Sequence, residues 1–151
     1  METHTIIRDV LKSKGSGIET VQAHRPVSEI LQLFDERNIS SVIVASPDGK
    51  PVGIVTDRLL IKALAHRGSS ALSLRAADVM VAPVPACAPD DSIQDALSIM
   101  TERRIRHLLV ECAGESVGLV SIGDLVKFRL RDRELEARVL RDLAYAHLAA
   151  E

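Results

Sequence analysis

The chain has 151 residues, a formal net charge of -2 at neutral pH and 46% apolar residues. That length allows one compact unit, or two very small ones that share a core. With two Phe, one Tyr and no Trp, the core is expected to be aliphatic. Single-stranded nucleic acid is disfavoured as a partner because its binding relies on aromatic stacking platforms. No basic excess exists to hold a nucleic-acid backbone. No apolar run reaches membrane-spanning length, and no signal-peptide core is recognisable, so no membrane partner is expected. Cys87 and Cys112 form no metal-ligand pattern, and Cys87 reads as a small apolar strand residue. His4, His24, His66 and His147 have no ligand spacing either. No metal site is expected, and the composition suits a cytoplasmic protein with reduced thiols.

In chain order, Ile6, Ile7, Val10 and Leu11 form a short apolar-periodic segment that Gly15 and Gly17 interrupt. Ile18 to Val21 suits a short strand. Val27, Ile30, Leu31 and Phe34 then fall on one helical face, which Asn38 ends. Ile39 to Val44 is β-rich. Ser46-Pro47-Asp48-Gly49 is a turn, since Pro presets one dihedral and Gly permits a positive one. Val52 to Val55 pairs back as a hairpin arm. Thr56-Asp57-Arg58 opens a helix carrying Leu59, Leu60, Ile61 and Leu64, and Arg67-Gly68-Ser69-Ser70 ends it.

The same order then returns. Asp78-Val79-Met80 leads into a Pro-punctuated stretch through Val84 and Cys87. Ser92 is an N-cap with Asp95 three residues on. Ile93, Ala96, Leu97 and Met100 repeat the helical face, and Ile105 to Val110 repeats the strand. Glu36-Arg37 reappears as Glu102-Arg103, Gly53 as Gly118, Val55 as Val120, Leu60 as Leu125 and Lys62 as Lys127. Thr56 becomes Ser121, which keeps the hydroxyl. This is an internal duplication of a strand–helix–strand–strand–helix unit. Each half is too small to be secure alone, so the halves are expected to pack together and bury both helical faces. The expected units are residues 5–67, 74–130 and a C-terminal helical extension at 131–151. Leu135, Val139, Leu143 and Ala146 form its apolar stripe, docked on the body or used between chains.

The stretch Val117 to Leu125 runs from a buried strand into a helix, with Ser121 and Asp124 at the junction. Two readings stand side by side. A helix start offers unpaired N–H groups suited to a phosphate, and a carboxylate one turn in can accept from a ribose diol. Ser-x-x-Asp is equally close to a capping box, which serves only the helix. No nucleophile–base pair, metal cluster or Walker-type loop is present, so catalysis is not expected. No catalytic residue and no catalytic cofactor is assigned.

Both repeats resemble CBS domains, the modules that occur in tandem as Bateman modules. The second carries Val79-Met80, Met-Thr-Glu-Arg-Arg-Ile-Arg-His at 100–107 and Gly-Leu-Val-Ser-Ile-Gly-Asp-Leu at 118–125. The first carries Gly53-Ile54-Val55-Thr56-Asp57-Arg58. The resemblance covers roughly residues 5–130 and is closest to small stand-alone bacterial proteins of this type. It implies an α+β fold of two pseudo-symmetric β-α-β-β-α units plus the C-terminal helix. It also implies adenosine-type sites between the repeats, with AMP, ADP, ATP, NAD or S-adenosylmethionine as ligands.

In the family motif, a Ser or Thr and an Asp three residues later hold the ribose. Ser121 and Asp124 match it, whereas the first repeat has Thr56 and Leu59, and Leu59 cannot accept from a ribose hydroxyl. A nucleotide is therefore expected to bind better beside Ser121 and Asp124. Arg58 with Arg106 or His107 would neutralise its phosphate, only one of the last two facing a given cleft because strand residues alternate. Each also reads as a solvated or core-edge polar residue. Val84 and Pro85, matched by Ile18 in the first repeat, would form an aliphatic wall for adenine, or be ordinary core and turn. The expected function is a regulatory adenine-nucleotide sensor that signals to a protein partner. The alternative is an interaction scaffold with decayed sites. A homodimer is expected, from flat apolar helix faces and from the resemblance.

Overall fold

The computed structural model describes residues 5–150, so His4 and the last residue of the expected extension lie outside it. The chain runs α1 (Ile7–Lys14), β1 (Thr20–Gln22), α2 (Val27–Arg37), β2 (Ser41–Ala45), β3 (Pro51–Thr56) and α3 (Asp57–Arg67). A 3-10 turn at Gly68–Ser73 leads to α4 (Ala76–Val79), β4 (Ala86–Cys87), α5 (Ile93–Arg103), β5 (His107–Cys112), β6 (Glu115–Ser121) and α6 (Ile122–Ala150).

Two three-stranded sheets form, ordered β1-β2-β3 and β4-β5-β6. In each, the first pair is parallel and the second is an antiparallel hairpin. The hairpins share even their irregularity, a register shift at Val44/Ala45 and again at Val110/Glu111. The turn between β2 and β3 is closed by Gly49 N–H donating to the Ser46 carbonyl (2.8 Å), with Gly49 at φ 85°. The shorter turn between β5 and β6 puts Ala113 and Gly114 both at positive φ, as a tight primed hairpin requires.

The helical faces bury as the spacing demands. Val27, Ile30, Phe34, Ile93, Ala96 and Met100 are in the core. Leu31 and Leu97, at matching positions, are only partly buried and pack on the core's edge. Asn38 ends α2 in the left-handed conformation, as its residue type favours. The matching residue after α5 is Arg104, held at φ 54° without that preference. At the start of α5, Ser92 Oγ accepts from the Asp95 backbone N–H at 3.0 Å.

Three clusters make up the core. One belongs to each repeat, and a third lies between the two sheets. The shared cluster is Ile43 and Ile54 from the first sheet with Leu109 and Leu119 from the second, flanked by Ile18 and Val84. Ile18 and Val84 thus stand at equivalent points of the joint between repeats.

The lead-in segments are exchanged. Helix α1 opens the first repeat in sequence, yet Ile7 and Val10 are buried in the second repeat's cluster. Its backbone is tied there by Ile7 N–H to the Asp91 carbonyl (2.9 Å) and Arg8 N–H to that of Pro89 (2.8 Å). Helix α4 opens the second repeat in sequence, yet Ala76 is buried in the first repeat's cluster, where Val79 and Met80 pack on it. Ala76 N–H donates to the Arg25 carbonyl at 2.8 Å. Gly118 and Gly53 make room for these segments. A β-carbon on Gly118 would lie 2.5 Å from Leu11 Cδ2, and one on Gly53 would run into Met80 Sδ.

The C-terminal helix begins inside the second repeat. It is continuous with the helix that closes the second repeat, 29 residues from Ile122 to Ala150. Leu125 at its start is buried, while Leu135, Val139 and Leu143 are exposed.

Candidate functional site

At each β-hairpin's end the chain passes straight into a helix, and the hydroxyl at the junction caps it. Thr56 Oγ1 accepts from the Leu59 N–H (3.3 Å), and Ser121 Oγ accepts from the Asp124 N–H (3.1 Å). In the second repeat Asp124 Oδ2 reciprocates by accepting from the Ser121 N–H (2.9 Å), which completes a capping box. The expected family pair is therefore engaged with its own helix.

Asp124 has a further partner. Lys14, at the end of α1, donates from Nζ to Asp124 Oδ2 at 2.5 Å and to the Leu119 carbonyl at 2.7 Å. Burial raises the Asp124 carboxyl, but the bonds from Lys14 and from the Ser121 backbone outweigh it and hold the group below the ordinary carboxylate range. In the first repeat the carbonyl matching Leu119 belongs to Ile54, and there the Val81 N–H takes it at 2.9 Å. Lys14 thus supplies through a side chain what the first repeat obtains from backbone.

The cavity among these residues lies on the other side, beside Thr56. Its volume is about 230 Å³, and both repeats line it. The first contributes Thr56, Arg58, Leu59 and Lys62; the second contributes Pro85, Arg104, Ile105, Arg106 and His107. Ile54 and Val81 complete its aliphatic wall. One of its lining residues is held in a salt bridge between the repeats, Arg106 Nη2 to Asp57 Oδ1 at 2.8 Å. Across a corner of α3, a second cavity of about 520 Å³ shares Leu59 and Lys62 with the first.

The nine expected site residues therefore divide. Thr56, Arg58, Pro85, Arg106 and His107 come together around the cavity. Ser121 and Asp124 do not line it, and Ile18 and Val84 flank the core between the sheets. Arg106 and His107 both face the cavity, contrary to the alternation argument. Arg106 precedes the first paired residue of β5, so the pleat does not fix its direction. His107 is itself buried, opposite Ser121 in the hairpin register. Burial first, then the Arg106 charge, lowers its pKa, so it is neutral at pH 7. Sequence reasoning does not single out Leu59, Lys62, Arg104 or Lys14 as binding groups. Arg104 and Lys62 are visible as charges near the motifs, but nothing in the α1 pattern marks Lys14.

Two facing sheets, each closed by a hairpin that feeds a capped helix, with a cleft at their joint, define a tandem CBS-type module. The CBS domain model matches residues 7–66 and 76–131, and the chain belongs to that family. CBS-domain pairs are as a class regulatory, nucleotide-binding modules. A mitochondrial CBS domain-containing protein of Arabidopsis thaliana is 27% identical over 144 residues, which is 90% of this chain and 70% of that protein. An inosine-5'-monophosphate dehydrogenase of Thermoplasma acidophilum is 32% identical over 143 residues, 92% of this chain but only 26% of that enzyme. Among solved structures, a CBS-domain protein from Agrobacterium tumefaciens superposes with a TM-score of 0.81 at 34% identity, covering 83% of this chain and 94% of its own. Another from Burkholderia ambifaria gives 0.77 at 34% identity, covering 85% and 96%. Among the described residues no helix is long and apolar enough to cross a membrane, and no acid, His or Cys cluster could hold a metal.

Proposed function

We propose that this chain is a sensor that takes an adenine nucleotide in the cleft beside Thr56 and signals its occupancy to a protein partner. The observation that carries the reading is the cavity between the repeats, with an aliphatic wall at Ile54 and Pro85 and guanidinium groups at Arg58 and Arg106. The wall suits a base, and guanidinium suits phosphate. The reading transfers the open site from Ser121 and Asp124 to the first repeat's motif. Around Asp124, one carboxylate oxygen already accepts from both Lys14 Nζ and the Ser121 N–H, which competes with a ribose for that group.

The Arg106–Asp57 salt bridge supplies a route for the signal. It joins the second repeat to the start of α3 in the first. A phosphate that takes Arg106 competes with Asp57, so binding alters a contact between the repeats. Only a ligand that distinguishes the two arrangements can shift them, and this one does.

A second reading, a scaffold with decayed sites, is favoured by Leu59 and by the Lys14–Asp124 contact. Thermal unfolding with AMP, ADP, ATP, NAD and S-adenosylmethionine separates the two. A ligand at about 100 times its dissociation constant adds about 2.7 kcal/mol of stability. Absence of any shift with all five at millimolar concentration would leave the scaffold reading standing.

A further inference from the structure

Resting on the nucleotide reading above, we infer that the cleft beside Thr56 selects its ligand by the phosphate chain and not by the ribose, and that the ligand class is a nucleoside triphosphate. Four observations converge on this.

The first is the missing acceptor. Leu59 lines the cavity at the place where the second repeat has Asp124. Thr56 Oγ1 accepts from the Leu59 N–H and keeps its O–H to donate, which suits a phosphate oxygen. No carboxylate in this motif is left facing a ribose diol, since Asp57 is held by Arg106 and by the Arg58 N–H.

The second is charge. Arg58, Lys62, Arg104 and Arg106 all line the cavity, and only Arg106 has an ion-pair partner among the described residues. Counting Asp57, the wall carries three positive charges in excess, and neutral His107 adds none. A monophosphate brings about two negative charges, too few to match them. Each further phosphate brings one more, so a diphosphate already balances this wall, and a third phosphate draws on the basic groups farther along α3, His66 and Arg67.

The third is the backbone at Arg104. It sits at φ 54°, a left-handed position that disfavours a side chain such as Arg, and where the first repeat has Asn38. Such a conformation is unfavourable for a residue that carries a β-carbon. From that position Arg104 contributes to the lining of the cleft.

The fourth is room. Arg58, Lys62 and His66 recur every four residues and so share one face of α3. The neighbouring cavity of about 520 Å³ shares Leu59 and Lys62 with the first and is lined as well by His66 and Arg67. A chain of phosphates leaving the cleft therefore meets further basic groups. Asp78, the carboxylate on that wall, is engaged with the Arg75 backbone N–H at 2.8 Å.

The test is titration calorimetry of the full chain with ATP, AMP, 2',3'-dideoxy-ATP and inorganic tripolyphosphate. ATP is expected to bind at least about tenfold tighter than AMP, with dideoxy-ATP within about threefold of ATP. Lys62→Ala, an exposed helix position, should weaken ATP by about tenfold and AMP far less. Leu59→Asp should introduce a preference of about tenfold for ATP over dideoxy-ATP. AMP as tight as ATP, or wild-type protein that discriminates against dideoxy-ATP by about tenfold, overturns the inference while nucleotide sensing stands. Tripolyphosphate binding without any nucleotide binding overturns the nucleotide reading while phosphate recognition stands. Silence from all four overturns both.

Discussion

Lys14 and Asp124 stand 110 residues apart in the chain, yet their charged atoms meet at 2.5 Å. The contact fastens α1 to the start of α6 and fills the acidic corner of the second motif. Lys14→Met should raise the Asp124 carboxyl towards its ordinary value, read by carboxyl NMR titration. Both side chains keep some solvent contact, at 36% and 25% exposure, so the stability lost should be only about 1 kcal/mol. A depressed carboxyl contributes stability above its unfolded value of 3.8 and loses it as pH falls through the folded one. The acid branch of the stability profile should therefore flatten in Lys14→Met.

Asp124→Ala removes both the capping acceptor and the partner of Lys14. Unfolding of the ligand-free protein should register a loss of about 1–2 kcal/mol. Affinity for a nucleotide in the cleft beside Thr56 should stay the same. A tenfold or greater loss of affinity, roughly 1.4 kcal/mol, with stability intact would return the ribose role to Asp124.

His107 lies between the two motifs, with Arg106 and Asp57 on one side and Lys14 and Asp124 on the other. Its lowered pKa means the unfolded chain binds the proton more readily than the fold does. Stability should be full above the unfolded value of 6.5 and decline as pH falls below it, towards the lower folded value. Denaturant midpoints followed from neutral pH downwards should show the decline, and His107→Gln should reduce it.

The cores give a sharper stability prediction. Ile7 is fully buried in the second repeat's cluster although it belongs to the first repeat in sequence. Ile7→Ala should cost about 2–5 kcal/mol. If the sequence units 5–67 and 74–130 each sufficed for folding, the second expressed alone would be stable. Expected instead is a fragment that gains native-like circular dichroism only when a peptide spanning 5–14 is added.

Beyond the repeats, Leu135, Val139 and Leu143 are exposed along α6. The homodimer expected from the apolar helix faces would cover them. Light scattering at micromolar concentration should give twice the chain mass, and a charge placed on that stripe as Val139→Glu should lower it.

Much of the fold was legible in the sequence because its devices are local. The faces of α2 and α5 follow from spacing, Asn38 and Ser92 from cap chemistry, and the duplication from order. The exchange of α1 and α4 was not legible. Periodicity tells that Ile7 and Val10 need covering, but not which repeat covers them. The site was half legible for a related reason. The motif residues stand out in the sequence, but which cleft stays open depends on where Lys14 reaches. Cys87 needed no such long-range information. It is the small buried residue its strand position suggests: burial pushes its thiol up to about 12, with a small push from Asp91, and leaves it inert.

The exchanged lead-in helices also make the polypeptide a closed circuit. Thr5, at the start of the described chain, donates from its hydroxyl to Asp132 Oδ2 at 3.2 Å, just past the end of the second repeat. The two ends of the paired body therefore adjoin, and the largely exposed 3-10 turn at Gly68–Ser73 is the covalent bridge between its halves. Order along the chain is then a convention that the packing does not enforce. A circular permutant opened in that turn and joined between Asp132 and Thr5 would keep each core's every strand and both of its borrowed helices.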